Sequence, residues 1–335
     1  MPVTLDDIAT SVGVSRVTVS RALNGTGRMA DATRQRVIET ARKLNYRPNA
    51  VARATRTGRI GCVALLMSSE IKRSHLLGNT MRTLHDCLAK AHYHLNVTYL
   101  PDEQLDDAEL VPKVLREQLA EGLLINYSEE APEYLRQHVA ASDDPALWIN
   151  VKRPADGVHP DDYAAGRTLT RKMLEAGHTR VAYVDFSHDM SKPGLHYSAL
   201  DRYAGYCDAM RSAGLAPRRV GDRRLRTHDL YERCRALLGG PDRPTALVSY
   251  SQTPAVLATA MQLGLDLPRD LSYATVADAV ITQWPVAITS CITQADRYGS
   301  EIGNMMLQKL QSPQTVLPTR TVPFKFYPGE SIARL

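Results

Sequence analysis

The sequence predicts an α/β protein with a small three-helix head at its N-terminus and a two-lobed body built on parallel sheets. A length of 335 residues exceeds what one ordinary hydrophobic core organises, so more than one domain is expected. Short helical patterns fill the first 46 residues, and from residue 60 short apolar runs alternate with amphipathic segments. Such alternation is typical of βαβ units, whose helices cover both faces of a parallel sheet.

The first helix of the head is predicted from its caps and its apolar spacing. Thr4 can act as the N-cap, and Asp7 follows at the position of a capping-box partner. Gly13 suits the left-handed position after the last turn. The predicted apolar face consists of Leu5, Ile8, Ala9 and Val12.

A second short helix is predicted directly after this glycine. Ser15 is its expected N-cap, Arg16 its first residue, and Asn24 with Gly25 its end. Two short helices joined by a tight turn that contains glycine are typical of a helix-turn-helix motif. The predicted inward residues are Val19, Ala22 and Leu23, and the predicted outward residues are Arg16, Val17, Ser20 and Arg21.

The outward face has the chemistry of a DNA-reading surface. An arginine can bind guanine through two hydrogen bonds, and Val17 can contact a thymine methyl group. Further side chains on this side, which we expect to lie at the DNA, are Thr4, Ser15, Thr18 and Asn24. An ordinary solvated pair of amphipathic helices would show the same local pattern, so the motif alone leaves both interpretations open.

The distribution of charge favours the DNA interpretation. The chain has a net charge of +5, yet residues 1–59 contain 11 Lys/Arg against four Asp/Glu, so the rest is slightly acidic. A concentrated basic segment on an acidic body predicts a module that binds a polyanion.

A third helix over 31–44 is expected to complete the head and lead into a linker. Its predicted inward residues are Val37, Ile38, Ala41 and Leu44. The residue before Pro48 avoids the helical region, and Pro48 itself suits the first position of a new helix from Asn49 to Thr55. So short a helix is unstable alone and should fold only against a partner.

Three segments together resemble the LacI/GalR family of bacterial repressors. They are "VTLDDIATSVGVSRVTVSRALNG", "ATRQRVIETARKLNYRPNAVARATRTGRIG" and "GHTRVAYV", and the similarity runs through nearly the whole chain. The resemblance implies a homodimer whose two heads read pseudopalindromic double-stranded operator DNA. It also implies hinge helices that enter the minor groove at the centre of the operator.

The resemblance assigns roles to residues of the head and the hinge. Arg16, Val17 and Arg21 occupy the base-reading positions of the family. The hinge residues placed at the DNA are Asn49, Ala52, Arg53 and Thr55. The family commonly has a leucine where this chain has Thr55, and that leucine wedges between base pairs. Because threonine is smaller and polar, we expect a smaller operator bend than is usual for the family.

The body resembles the periplasmic-binding-protein fold, in which ligands bind between two lobes at the carboxyl ends of the strands. The predicted strands lie in the runs "IGCVALLM", "HLNVTYL", "EGLLINY", "ALWINV", "VAYVDF", "TALVSY" and "LSYATV". Two later segments, "AITSCITQ" and "TVPFKFYPG", are expected to cross back between the lobes.

The domain boundaries follow from these patterns. We predict a helix-turn-helix head over 1–46 and a hinge helix with its linker over 47–59. The first lobe would consist of 60–160 and 293–320, and the second lobe of 161–292 and 321–335.

The family resemblance places several residues at the ligand cleft. Arg202 in "DRYAGY" matches an arginine that grips the effector, and Asn150 stands where a ligand-binding aspartate is common. Gln294 falls at the hinge between the lobes. "TVAD" keeps Asp278 but has Ala277 in place of the preceding acid.

Two further segments depart from the family pattern. An expected Asn-Asp pair is replaced by Tyr250 and Ser251. The first lobe lacks the usual Pro-Phe and offers Ser69, Arg73 and His75 instead. With fewer carboxylates and more basic and aromatic groups, the effector is predicted to be a sugar or an anionic sugar derivative, with Tyr250 able to stack on a planar ligand.

Other function classes are weighed against this one. A regulator without small-molecule control and a solute-binding receptor remain alternatives. Asp185, His188 and Asp189 cluster after a strand, but no nucleophile in a recognisable setting accompanies them, so no enzyme, catalytic residue, cofactor or metal site is expected. The sequence has no long apolar run or signal peptide, which predicts a cytoplasmic, nucleoid-associated protein without membrane contact. No leucine heptad follows the last strand, which favours a dimer over a tetramer.

Overall fold

The computed structural model describes residues 3–47, 54, 58–70, 73–101, 112–117, 119–127, 131–191, 194–221, 226–251 and 254–335. The chain forms two compact units, Met1–Ile60 and Gly61–Leu335. The first unit is the helical head and the second is the α/β body. The hinge residues predicted to contact DNA, Asn49, Ala52, Arg53 and Thr55, lie outside the described residues.

The head contains α1 (Leu5–Val12), α2 (Arg16–Leu23) and α3 (Asp31–Lys43). Ile8, Val19 and Val37 are fully buried where these helices meet. The predicted inward position of Leu44 is wrong, since this residue is 36% exposed. The helix ends at Lys43, so Leu44, its C-cap, leaves the helical spiral and the buried face.

Within the described residues, the first sheet of the body has six parallel strands in the order β11-β5-β4-β3-β1-β2. The strands are β1 (Cys62–Ser68), β2 (His94–Leu100), β3 (Gly122–Asn126), β4 (Ala146–Ile149), β5 (Gly157–Pro160) and β11 (Arg320–Val322). One face is covered by α4 (Gly78–Lys90) and α11 (Ala295–Gln311). The other face is covered by α5 (Lys113–Arg116) and α6 (Glu133–Ala141).

The second sheet of the described chain also has six strands, in the order β12-β10-β9-β8-β6-β7. They are β6 (Val181–Val184), β7 (Arg218–Val220), β8 (Ala246–Ser249), β9 (Ser272–Ala277), β10 (Thr289–Ile292) and β12 (Lys325–Tyr327). Only β12 runs antiparallel to its neighbour. The covering helices are α7 (Asp162–Glu175) and α8 (Tyr197–Ser212) on one face, and α9 (Thr227–Gly239) and α10 (Pro254–Gln262) on the other.

The two sheets confirm the predicted α/β body with its parallel strands. The chain passes from one lobe to the other after β5, between β10 and α11, and between β11 and β12. The predicted boundary at 320/321 falls within β11, and the strand pairing places the change of sheet after Val322. No helix in the described part of the chain is long and apolar enough to cross a bilayer.

Two glycines allow α7 and α8 to pack unusually closely. A Cβ atom on Gly205 would lie 2.1 Å from the carbonyl oxygen of Tyr163, and one on Gly166 would lie 2.1 Å from that of Arg202. Any larger residue would force the two backbones apart. This close approach sets the position of Arg202 relative to the start of α7.

Candidate nucleic-acid interface and ligand cleft

The N-terminus of α1 is fixed by a reciprocal capping box, as the sequence predicts. The backbone N–H of Asp7 donates to Oγ1 of Thr4 (3.3 Å), and the backbone N–H of Thr4 donates to Oδ2 of Asp7 (2.7 Å). The hydrogen bond from the Thr4 backbone lowers the pKa of Asp7. The carboxylate therefore stays charged at the positive end of the helix.

Helix α2 is capped at both ends by side chains of the residues that flank it. The Thr18 backbone N–H donates to Oγ of Ser15 (3.1 Å), and the two hydroxyl oxygens lie 2.9 Å apart. Nδ2 of Asn24 donates to the carbonyl oxygen of Ser20 (2.8 Å). Ser15, Thr18 and Asn24, which are predicted DNA contacts, thus also hold the ends of the helix. Of these three, the sequence predicts a side-chain cap for Ser15 only.

The outward face of α2 is open to solvent. Arg16 and Arg21 are exposed, Val17 is 58% exposed, and Ser20 is half-buried. An exposed valine between two arginines offers a methyl-binding contact beside two hydrogen-bond donors. Asp6 on α1 lies next to this face, with Oδ2 3.5 Å from Nη1 of Arg16.

Two arginines of α3 brace the head. Nη2 of Arg36 donates to the carbonyl oxygen of Val12 (2.7 Å), at the end of α1. Nη2 of Arg34 donates to the carbonyl oxygen of Gly27 (3.2 Å), beyond the end of α2. Part of the basic charge of the head therefore stabilises the fold by capping helix ends, which the charge count alone could not reveal.

A cleft of about 500 Å³ lies in the body, where strands of both sheets end. Of the eight predicted ligand residues, five line it, namely His75, Asn150, Arg202, Tyr250 and Asp278. Ser69, Arg73 and Gln294 are not among its lining residues. His188, from the cluster predicted after a strand, also lines it, and further lining residues that the sequence did not indicate include Thr80, Asp162, His196, Ser198 and Thr293.

The guanidinium of Arg202 is held on two sides. Nε donates to Oδ1 of Asp162 (2.6 Å), and Nη1 donates to the carbonyl oxygen of Tyr250 (2.6 Å). Burial is the largest single effect on Arg202 and lowers its pKa, but the electrostatic interactions with Asp162, Tyr250 and Tyr183 and the hydrogen bond to Asp162 together raise it. Asp162 is the first residue of α7 and supplies a buried carboxylate.

The ring of Tyr250 is packed by protein groups. Its centroid lies 4.4 Å from Cζ of Arg202 and 4.5 Å from the His188 ring, which meets it edge-on. Its hydroxyl lies 2.8 Å from Oγ of Ser198. Burial raises the pKa of this phenol. The predicted stacking face is thus already covered by a guanidinium.

His188 connects the cleft to a buried carboxylate. Its Nδ1 lies 3.1 Å from Oδ2 of Asp185, to which Nη2 of Arg219 also donates (3.3 Å). Since a carboxylate only accepts, Nδ1 carries a proton, and Nε2 is the ring atom left for a ligand. His188 therefore forms part of the cleft wall, and Asp185 holds its ring in place.

His196 links the two lobes as a neutral side chain. Burial lowers its pKa. Nε2 donates to the carbonyl oxygen of Asn150 (2.8 Å), because a carbonyl can only accept, and Nδ1 then accepts from Oγ of Ser198 (2.6 Å). The hydroxyl of Tyr250 completes this chain by donating to Ser198.

Two ion pairs also join the lobes. Nε2 of His75 lies 3.6 Å from Oδ2 of Asp278, and Nζ of Lys152 lies 2.8 Å from Oδ2 of Asp201. The hydrogen bond between His75 and Asp278 raises the pKa of the imidazole and lowers that of the carboxyl. The cleft is thus closed over by contacts between the protein's own side chains.

The remaining predicted cleft residues lie nearby. Nε2 of Gln294 donates to the carbonyl oxygen of Pro323 (2.7 Å), which joins two of the crossings between lobes. Ser69 is exposed just after the end of β1. The backbone N–H of Arg73 donates to the backbone carbonyl oxygen of Glu70 (2.9 Å). In the described part of the chain, no group of His, Cys, Asp and Glu residues has the arrangement of a metal site.

Two family models match the chain. The model "Bacterial regulatory proteins, lacI family" matches residues 4–49, and the model "Periplasmic binding protein-like domain" matches residues 170–332. The HTH-type transcriptional repressor PurR of Aliivibrio salmonicida is 25% identical over 276 residues, which cover 80% of each chain. PurR of Haemophilus influenzae strain PittEE is 24% identical over 317 residues, which cover 92% of this chain and 91% of that one. The chain belongs to the LacI/GalR family.

Solved structures of LacI/GalR proteins share its fold. The lac repressor dimer bound to operator and the anti-inducer ONPF superposes with a TM-score of 0.78 at 20% identity, over 99% of this chain and 100% of that one. The complex of the regulator CelR with cellobiose has a TM-score of 0.66 at 20% identity, over 98% and 99%. As a LacI-family member, the protein is a DNA-binding transcriptional regulator with an effector-binding domain.

Proposed function

We propose that this protein is a homodimeric repressor that binds a pseudopalindromic operator and is controlled by a ligand in the cleft. The observation that carries the proposal is the outward face of α2, where Arg16, Val17 and Arg21 are exposed on a helix fixed at both ends. A recognition helix reads base edges in the major groove from such a face. The two arginines would bind guanines, and Val17 would contact a thymine methyl group.

The dimer is supported by apolar surface on an edge strand. β2 is an edge strand of the first sheet. Its residues Val97 and Tyr99 lie on the same face of the strand and are 38% and 62% exposed. An open sheet edge with apolar side chains favours association. A second exposed apolar pair, Met261 and Leu263, lies at the end of α10 in the other lobe. Pairing of both lobes would bring two heads to the two halves of an operator.

The cleft chemistry favours a neutral polyhydroxylated ligand such as a sugar. Arg202 is paired with Asp162, His75 with Asp278, and His188 with Asp185, so the charges of the wall are balanced. An anionic ligand would have to compete with these carboxylates, whereas hydroxyl groups can both donate to them and accept from the bases. The cellobiose complex of CelR shows that a related fold holds a neutral sugar.

The contacts between the lobes indicate how such a ligand would act. A ligand that enters the cleft must change the contacts of His75 with Asp278 and of His196 with Asn150, because these residues line it or close it. A shift of one lobe relative to the other would be passed to the hinge segment 47–59 of each protomer. Operator affinity and ligand affinity are then coupled by the same factor in both directions.

Selection of duplexes from a random pool tests the DNA proposal. We expect a symmetric consensus, bound more weakly as salt rises, since released counterions drive phosphate contacts. The Arg21→Ala variant should lose preference at one base pair of each half-site, and Arg16→Ala at a neighbouring one. Equal binding of scrambled and symmetric duplexes at physiological salt would contradict the proposal.

A thermal-shift panel tests the ligand proposal. Neutral mono- and disaccharides are compared with matched sugar phosphates and sugar acids, with Arg202→Met as the control that removes the central cleft cation. A neutral sugar should raise the melting temperature of the wild type but not of the variant. Stabilisation by the acidic sugars alone would favour an anionic effector.

A further inference from the structure

Asp6 stands in the first turn of α1, beside the first residue of the proposed reading helix, and its carboxylate accepts no hydrogen bond that caps the helix among the described contacts. The capping box of α1 uses Asp7, whereas Oδ2 of Asp6 lies 3.5 Å from Nη1 of Arg16. Both side chains are about two-thirds exposed, at 64% and 67%. A carboxylate on a module that binds a polyanion repels its target, so its position next to a base-reading arginine needs an explanation.

We propose that Asp6 is a positioning and specificity residue for operator reading. It orients the guanidinium of Arg16 and places its own carboxylate at the base edges beside the base that Arg16 reads. The proposal rests on the proposed reading of DNA by α2. Arg16 begins that helix and its guanidinium lies 3.5 Å from the carboxylate of Asp6, so the two groups can meet neighbouring base edges together.

The donor geometry of arginine permits this arrangement. A guanidinium has five N–H donors in a planar fork, and a bidentate contact to guanine uses two of them. A remaining N–H is free to donate to Asp6, which restricts the side-chain rotamers before DNA arrives. In water such an exposed pair contributes little. In a groove from which water is excluded, the same ion pair is stronger.

The carboxylate also imposes a choice of base. It accepts from the amino group of cytosine or adenine, but it is repelled by the acceptors O6 and N7 of guanine and O4 of thymine. It is repelled by every phosphate, whatever the sequence. Asp6 therefore lowers affinity for all duplexes while it increases the difference between the correct and the incorrect ones.

The test measures Kd for the selected operator and for its single-base-pair variants with the full-length protein. The proteins compared are wild type, Asp6→Ala, Asp6→Asn, Arg16→Ala and the Asp6→Ala/Arg16→Ala double variant. The matched control is Glu39→Gln, which removes an exposed acid of α3. Asp6→Ala should reduce discrimination at the base pair read by Arg16 by about threefold to tenfold and tighten binding to random duplex. In the Arg16→Ala background, Asp6→Ala should change that discrimination no further.

A uniform gain in affinity, the same as for Glu39→Gln and with unchanged base preference, would overturn the proposal. That result differs from failure of the proposed function, in which Arg16→Ala itself would leave base preference unaltered. If circular dichroism shows that Asp6→Ala perturbs α1, the nearly isosteric Asp6→Asn decides. The amide of that variant keeps the shape of the side chain but carries no charge. Loss of discrimination in it therefore supports the role of the carboxylate, and wild-type discrimination contradicts it.

Discussion

Nε of Arg202 donates to Oδ1 of Asp162 across 2.6 Å, and the side chains are only 14% and 2% exposed. The pair stands in the wall of the cleft, where Arg202 also holds the carbonyl oxygen of Tyr250. The carboxylate of Asp162 is almost fully buried, so removal of either side chain would leave the other with a poorly solvated charge and no counter-charge. These two hydrogen bonds fix the side chain of Arg202 in the cleft wall. They use Nε and Nη1, which leaves Nη2 of the guanidinium for a ligand.

Loss of Asp162 should therefore be costly. We expect Asp162→Ala to lower the free energy of unfolding by about 3–5 kcal/mol, because it leaves the buried charge of Arg202 without a partner. Denaturant unfolding measures the effect. The control is Asp208→Ala, which breaks the exposed pair with Arg167 and should cost about 1 kcal/mol or less. Equal effects of the two variants would contradict the assigned role of the buried pair.

Close packing of α7 and α8 predicts a second effect. Gly205→Ala places a methyl group 2.1 Å from the Tyr163 carbonyl oxygen, so the helices must separate. We expect a loss of about 1–3 kcal/mol or more in unfolding free energy, together with weaker ligand binding through the displaced Arg202. Gly239→Ala is the control, since its Cβ meets nothing nearer than 4.0 Å. A Gly205→Ala protein as stable as this control would show that the helix contact is not tight.

Closure of the cleft should depend on pH through His75 and Asp278. The imidazole has a raised pKa and the carboxyl a lowered one, each through their mutual hydrogen bond. The attraction is present when His75 is protonated and Asp278 ionised, and it is lost as pH rises through the raised pKa of His75. Small-angle scattering should show a more open body near pH 9, where the imidazole is neutral, than near pH 6, where it is protonated.

His75→Gln provides the comparison for this pH effect. The variant should be equally open at both pH values, since it lacks the imidazole whose protonation attracts Asp278. The buried His196 is already held neutral by a lowered pKa and does not follow the same course. An identical opening in wild type and variant would assign the effect to another group.

The proposed dimer depends on the apolar face of β2. Tyr99→Lys places a charge in that face and should raise the dimer dissociation constant about tenfold or more. Sedimentation velocity at several concentrations measures the change. Val316→Lys alters an apolar residue of similar exposure, 69% against 62%, outside the strand and should leave the dimer intact. Equal weakening by both changes would contradict the proposed interface.

The hinge carries one prediction that comes from sequence alone. Thr55 replaces the leucine common in the family, so the wild-type protein should bend its operator less than a leucine-bearing relative does. Thr55→Leu should increase the bend, measured by the mobility of circularly permuted duplexes. A wild-type bend as large as that of the relative would contradict the prediction.

The head shows how far sequence patterns reach. Thr4, Asp7 and Ser15 act at short sequence range, so their caps were predictable and are confirmed. Leu44 was misplaced because the apolar spacing continues one residue beyond the end of α3. Strands β5 and β7 were not predicted, because they are too short to show the alternation of apolar and polar residues that indicates a strand. They also contain His159, Pro160 and two arginines.

The cleft shows where such patterns end. Arg202 and Asp278 were indicated by family motifs, but Asp162 is 40 residues from Arg202 along the chain, and nothing local marks it as its partner. The contact of His196 with Asn150 spans 46 residues. The balance of charge in the cleft depends on such pairs. A list of its residue types therefore left both a sugar and an anionic sugar derivative open, and the paired carboxylates are the reason for proposing the neutral sugar.

The hydrogen bond from Gln294 to the Pro323 carbonyl oxygen has a mechanical consequence for the body. It joins two of the chain segments that connect the lobes, one at Gln294 and one at Pro323, so that these segments move together. The motion of one lobe relative to the other is thereby restricted to a hinge rotation about one shared axis. Gln294, although it does not line the cavity, would set the axis about which the two lobes rotate.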